Sequence, residues 1–515
     1  MGTHLQQVTA TSGVFHEVVR QNERMQPAPA SRVRTLNTQP VRPDAPYVLY
    51  WMIAHRRVSA NFALQHAAAQ SIELGRPLMI FEPLRVDYPW ASDRLHRFVI
   101  DGMADQARAL AGRRATYLPH VERARGEGRH LFDLLCRDAA VVITDDYPTF
   151  FLPDMVSRAA SRLPVRLMAV DSNGLLPMRS APFAFSTAFA FRAHMQRTLR
   201  TQLESWPGAI DWTALPAPLT WTPPPGAPAL TASGDLDHPD RLIAGLPIDH
   251  SVTAVPIRGG SSAAATALTQ FVTSRLARYG EDRNHPDLDG TSGLSPYLHF
   301  GHIAAHDVFS AVVSAERWTS RRLGASGGGK REGWWGLSPA AEGFLDQLIT
   351  WRELGFSTCA AQPVGHDTID ALPAWARRTL DTHAADPRPW SYGRDALEAG
   401  ATHDRVWNAA ETQMLREGWM HNYLRMLWGK KILEWSETPA AALDTMIQLM
   451  NRHALDGRDP NSYTGYTWTL GRYDRPWGPE RPIFGTVRYM SSDNTVRKLK
   501  LKQFLKTYEP TNQLF

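Results

Sequence analysis

Apolar positions follow two rhythms along this chain, and the change of rhythm divides it. From Tyr47, short unbroken apolar runs (YVLYWMI, PLMIFEP, ATYL, AAVVITDD) alternate with stretches such as SANFALQHAAAQSIELG and LHRFVIDGMADQARALAGR, where apolar residues return every three or four positions. An apolar run of strand length predicts a strand buried on both faces, and the three-to-four spacing predicts a helix with one buried stripe. Their alternation predicts a parallel, doubly wound, Rossmann-like α/β domain to about residue 180. Ligands in such sheets sit beyond the strand C-termini.

Between Trp206 and Pro256 the pattern gives way to Pro, Ala and Thr, as in LPAPLTWTPPPGAPAL, which sustains neither helix nor central strand. Beyond it only the helical rhythm returns: TALTQFVTSRLARYG, AAEGFLDQLITWRELGF, HDRVWNAAETQMLREGW, MHNYLRMLWGKKILEW. The expected organisation is an extension over 1–45, an α/β domain over 46–180, a Pro-rich connection over 181–255 and an all-α domain over 256–515.

Composition narrows the function. A chain of 515 residues exceeds what one hydrophobic core usually serves. A net charge of +5 suits an anionic partner without requiring one. Cys136 and Cys359, the only cysteines, are too few for a disulfide framework or a zinc site, which predicts a reducing, intracellular and cytoplasmic setting, at the nucleoid if the source is bacterial. No apolar run has membrane-spanning length, so no membrane partner is expected. The first 45 residues hold five arginines and three acids without an apolar core, which argues against a secretory signal. Of 17 tryptophans, 12 follow residue 300, so the helical half either has a task for indoles or uses them as core bulk.

Three motifs invite chemistry. GASGGGKR, Gly324 to Arg331, nearly matches a phosphate-binding loop, but Arg331 replaces the hydroxyl residue and no apolar strand precedes it, so a plain loop is expected. His299, His302 and His306 have helical spacing but lack a cysteine or carboxylate at ligand spacing, and no metal is expected. DGTSGLSPYLHFG, Asp289 to Gly301, leads small hydroxyl residues into a helix start, which serves as a cap or holds a phosphate.

In GWMHNYLRMLWGKKILEW, Trp428 and Trp435 are two helical turns apart, about 10 Å along the axis, and share a face on which an electron could be relayed. Arg425 lies one turn before Trp428, and its charge needs a carboxylate or an anionic cofactor.

TSGLSPYLHFG, WRELGF, GWMHNYLRMLWGKKILEW and LDGRDPNSYTGYTWTLGRYDRPW stand in an order and spacing that resembles the photolyase and cryptochrome family; with RPIFGTVRYMS, the last two resemble its class II cyclobutane pyrimidine dimer photolyases. The resemblance runs from about residue 30 to 510. It implies FAD in the helical domain, contacted by Tyr279, Thr291, Ser292, Gly293, Leu294 and Ser295, with Arg425 paired to Asp456 beside the ring system and Asn422 and Asp459 as further pocket candidates. It implies a relay of Trp428 nearest the ring, then Trp407, then Trp435 near the surface. A dimer flipped out of UV-damaged DNA would stack on Trp351 and Trp468, with Met426 on the flavin side, Arg488 filling the gap in the duplex and Arg283 on the lesion strand. The basic tail VRKLKLKQFLK reads as a solvated helix face that could add affinity for DNA.

Two positions depart from class II. Gln347 stands where a glutamate is usual and cannot carry charge, and Met450 stands where an asparagine usually approaches the flavin; Asn451 could replace that asparagine only through a register shift. The expectation is a monomer without an obligate protein partner that repairs dimers with light. The rival reading is a cryptochrome-like photoreceptor, and a third is a nucleic-acid binder without flavin. Whether the α/β domain holds an antenna chromophore, deazaflavin or folate, stays open.

Overall fold

The structure, a computed structural model, describes residues 25–324 and 327–509. One sheet runs in the order β1-β6-β5-β2-β3-β4, built from β1 Val33–Thr35, β2 Tyr47–Trp51, β3 Leu78–Leu84, β4 Thr116–Val121, β5 Ala139–Asp145 and β6 Leu167–Val170. All pairs are parallel except β1 with β6. Helices α1 Phe62–Leu74, α2 Asp93–Leu110, α3 Glu127–Arg137 and α4 Leu152–Arg162 carry the chain between the parallel strands. Every residue of β2 and β5 is buried, which explains their unbroken apolar runs. Asn61 caps α1 by accepting from the amides of Ala63 and Leu64, and Gly75, at φ 64°, ends it.

The antiparallel edge strand β1 lies upstream of the first apolar run. Its three residues, VRT, are mostly exposed and carry no alternation, so the pattern does not mark it. The Pro-rich stretch has no helix or strand over residues 215–230, yet it is fastened along the far edge: Thr116 Oγ1 donates to the Leu219 carbonyl, and Val121 N donates to Thr231 Oγ1. It covers β4, whose outer backbone groups would otherwise be an open edge.

The rest is helical: α5 Ala188–Gln202, α6 Ser261–Gln270, α7 Ala305–Ala315, α8 Pro339–Leu345, α9 Arg352–Ala361, α10 Ala374–Thr382, α11 Arg405–Glu417, α12 Asn422–Trp435, α13 Pro439–His453, α14 Pro460–Thr469, α15 Ser492–Lys498 and α16 Lys502–Tyr508, with shorter turns between. Asp346–Trp351 joins α8 to α9 as a π-helical stretch.

Buried charge bonded to backbone ties sheet and helices together. Arg94 on α2 donates to the carbonyls of Thr253, Met414, Leu415 and His453. Glu353 on α9 accepts from the amides of Leu175 and Leu176 at 2.7 and 3.0 Å, and burial pushes its carboxyl up to about 7.

Candidate functional site

The tryptophan cluster starts from one tight turn. Asp404 caps α11 by accepting from the amides of Val406 and Trp407, Gly418 ends it at φ 67°, and the chain returns as α12 packed against α11. The return lays the rings of Trp407 and Trp428 parallel, 6.2 Å apart with 4° between planes, and Trp407 Nε1 donates to the Trp428 carbonyl at 3.1 Å. Trp435 meets Trp407 at 5.4 Å and 69°. Trp428 and Trp435 do lie on one helix; Trp407, from the preceding helix, touches both.

Trp435 was expected near the surface, but it is only 2% exposed. Tyr392 and His403, from the segment before α11, lie over it at 5.2 and 5.6 Å. The outer end of the cluster is Trp390, 52% exposed and stacked on His403 at 4.3 Å.

Arg425 finds the expected carboxylate: its two terminal nitrogens make contacts of 3.1 to 3.3 Å with both oxygens of Asp456. Arg425 Nε is buried without a partner. An orphaned donor beside an anchored ion pair fits a bound group that presents an acceptor there, as an isoalloxazine edge does. Asp459 is otherwise occupied, since it caps α14 through Asn461 N and contacts Tyr147 Oη and His299 Nδ1 at 3.3 and 3.4 Å. Asn422 is exposed at the start of α12.

Thr291, Ser292 and Ser295 are half-buried, and Gly293, at φ 67°, is exposed with open space where a side chain would stand. Leu294 points into the core, which leaves only its backbone for a ligand. The helix start read from SGLSP is real but short, five residues from Ser295 to His299. Tyr279 is buried against Phe271 and Phe344, with the Arg283 guanidinium 5.5 Å from its ring.

Gln347 and Trp351 both lie in the π-helical stretch, half-buried. A π-turn widens the helix and often marks a functional position. Trp468 is also half-buried, at the edge of the core that Trp351 packs against. Arg488 stands 5.9 Å from the Trp468 ring and 4.1 Å from Trp477, with Nε 3.6 Å from Asp474. Met426 is half-buried beside Arg425. Met450 is fully buried in α13. The Asn451 side chain is taken up by two tyrosines: it donates to Tyr463 Oη and accepts from Tyr466 Oη, both at 3.2 Å.

Known proteins share this chain over nearly its whole length. It is 34% identical over 480 residues to a deoxyribodipyrimidine photo-lyase of Methanothermobacter thermautotrophicus, covering 92% of this chain and 97% of that one. The protein of the same name from Oryza sativa is 32% identical over 500 residues, covering 92% and 90%. The chain belongs to the photolyase and cryptochrome family. The photo-lyase of Potorous tridactylus agrees, at 30% over 523 residues, covering 97% and 89%. Among solved structures, a class III photolyase from Agrobacterium tumefaciens superposes with a TM-score of 0.60 at 18% identity, covering 90% of this chain and 86% of that one. A Synechocystis cryptochrome superposes with a TM-score of 0.60 at 15%, covering 90% and 88%. These two likenesses establish the shared fold, an α/β domain followed by a helical one. No family model matches the chain.

Within this family fold, three features went unread in the sequence. Glu411 is fully buried and its Oε2 accepts the Trp428 indole N–H at 2.6 Å. Burial pushes its carboxyl up to about 8. Lys430 is buried, donates to the Thr469 carbonyl and lies 5.3 Å from the Trp468 ring; burial lowers it to about 7. Trp390 is the third. Single charged residues in amphipathic helices read as solvent-facing, so only helix numbering that set Glu411 beside the tryptophans could have raised the first.

An apolar cleft opens past the C-terminal ends of β2, β3 and β5, about 720 Å³ including its mouth, with Arg56, Arg85, Tyr88, Tyr147, Phe151 and His299 among its lining. The histidine trio disperses: His302 packs on Phe98 and accepts from Gly260 N, His306 meets Phe62 and Trp206, and His299 turns to Tyr147. Among the described residues no group of His, Cys, Asp and Glu could hold a metal ion, and no helix is long and apolar enough to cross a membrane. The glycine loop after Gly324 includes two residues outside the described ones; Gly329 is bound to Gln196 and Arg192 of α5.

Proposed function

We propose that this chain is a light-driven DNA-repair lyase of the class II type that splits cyclobutane pyrimidine dimers. The observation that carries this reading is the continuous aromatic line Trp428, Trp407, Trp435, which starts on the helix that holds Arg425 and leads toward exposed Trp390. The relatives named deoxyribodipyrimidine photo-lyase support it.

In this reading FAD, seated against Arg425 and Asp456, supplies light absorption and the electron that opens the cyclobutane ring. Arg425, held in orientation by Asp456, would donate to the bound ring system. Trp428, Trp407 and Trp435, in that order outward, would pass electrons inward to restore the reduced state of the bound group. Trp351 and Trp468 stack on the extrahelical dimer, Gln347 hydrogen-bonds a thymine carbonyl, Met426 closes the flavin side, and Arg488 and Arg283 hold the surrounding DNA. The apolar cleft beyond the strand ends, walled in part by Arg56 and Arg85, which pair with Glu82 and Asp87, would be the place for a second, light-harvesting chromophore.

A photoreceptor reading is favoured by Gln347 and Met450, which remove a charge and a hydrogen bond that class II enzymes usually have. Illumination of chemically prereduced protein with dimer-containing DNA separates the two: restored thymines support repair, and intact dimers leave the photoreceptor.

A further inference from the structure

Glu411 has no role in that account, yet it touches the first tryptophan of the relay. It lies on α11, fully buried, with Oε2 accepting the Trp428 N–H at 2.6 Å and Oε1 buried without a partner. A carboxyl with only one of its oxygens satisfied, against an indole, is a poor structural choice, since burying an unsatisfied oxygen forfeits its hydration without return. Building on the relay proposed above, we infer that Glu411 is a proton-controlled gate on the wire: neutral, it lets the electron vacancy move outward from Trp428, and ionised, it holds the vacancy there.

The gate would act electrostatically. When Trp428 gives one electron to the light-excited cofactor, it becomes a radical cation, and the charge separation survives only if Trp407 passes it an electron before the first electron returns. A full negative charge hydrogen-bonded to the Trp428 indole stabilises the positive charge there more than on Trp407, whose own N–H is bound to the Trp428 carbonyl and not to Glu411. In a buried, weakly screened site this difference is large. It reduces the driving force for the outward step and favours return. A neutral carboxyl leaves the outward step unopposed. No bond breaks, one electron moves at each step, and a thiol reductant in solution refills the outer end.

Other charges around Glu411 are already bound. On α12, Arg425 is paired with Asp456, Lys430 with the Thr469 carbonyl, and Lys431 with Asp404 and Glu434. Glu398, before α11, acts on Glu411 as a like charge that adds to the effect of burial, and is itself bound to Arg452 and His453 of α13. Further along α11, Arg416 and Glu417 turn to Thr507 and Tyr508 of α16. Arg94 of α2 is bound to the Met414 and Leu415 carbonyls, and among the described residues no cation is paired with Glu411, in keeping with its rise to about 8.

The test reads the wild-type holoprotein, starting from oxidised flavin with a thiol donor, across about pH 6 to 9.5, a span wide enough to contain both forms of one carboxyl. The yield of flavin photoreduction and the lifetime of the tryptophan radical should fall several-fold with a midpoint near 8, and Glu411→Gln should stay at the high, low-pH level throughout. In the dark, the infrared band of a protonated carboxyl should titrate near the same midpoint in the wild type and be missing from the variant. A flat wild-type profile, a profile shared by the variant, or no such band overturns the gate. Absence of photoreduction at every pH instead removes the relay reading itself, and repair by prereduced protein, measured alongside, does not depend on the gate.

Discussion

Trp351 has a half-buried ring in a widened turn, which is where a stacking platform for an extrahelical base would be held. Trp351→Ala is expected to weaken binding of dimer-containing DNA by about 1–3 kcal/mol and to leave undamaged duplex unaffected, as a titration with both DNAs would read. Gln347→Glu and Met450→Asn should each raise the repair yield per absorbed photon; no gain from either would mean that the two departures are silent. Glu411 makes a separate prediction about folding. Its carboxyl keeps its proton to about 8 in the fold but loses it near 4.5 in the unfolded chain, so the unfolded state binds fewer protons between those values and stability falls as pH rises through that window. The penalty is on the order of 4–5 kcal/mol at full extent. Thermal melts should show Glu411→Gln gaining on the wild type from pH 5 to pH 8, then holding level. The resemblance gave Arg425 and Asp456 correctly as a pair, because four dispersed motifs fixed the alignment. It could not give Glu411 or Lys430, whose burial depends on how helices far apart in sequence pack.

At the scale of elements, the pair α11 and α12 brings together the three indoles of the proposed relay. The seven-residue spacing of Trp428 and Trp435 was readable as a shared helix face, but the residue between them, Trp407, comes from another helix and is brought in by the turn at Gly418. Trp407→Phe should therefore cut flavin photoreduction sharply and leave the repair rate of prereduced protein close to the wild type, measured by absorbance and by dimer loss respectively. Loss of both would mean that the indole supports the pocket rather than a relay. The buried position of Trp435 was not readable either, because the segment that covers it, with Tyr392 and His403, has no regular pattern. Strands β2 and β5 were legible because burial on both faces forces unbroken apolar runs; β1, three residues at an edge, left no such mark.

At the scale of the molecule, two domains and a Pro-rich connection were expected from the change in rhythm, and the sheet is indeed followed by helices. What the sequence concealed is how the halves are fastened: Arg94 donates to four backbone carbonyls, three of them on α11 and α13, and so couples the sheet side to the helix that carries Trp407. Arg94→Met should cost about 1–3 kcal/mol for each carbonyl left buried and unpaired, read as a lower midpoint in denaturant. The account as a whole turns on an electron that leaves a reduced flavin and opens a dimer. The direct measurement is dimer loss from damaged DNA under blue light by protein reduced chemically in the dark. The account predicts turnover that requires light and stops with Trp351→Ala and Trp468→Ala together; dimers that persist through illumination of fully reduced protein would contradict it.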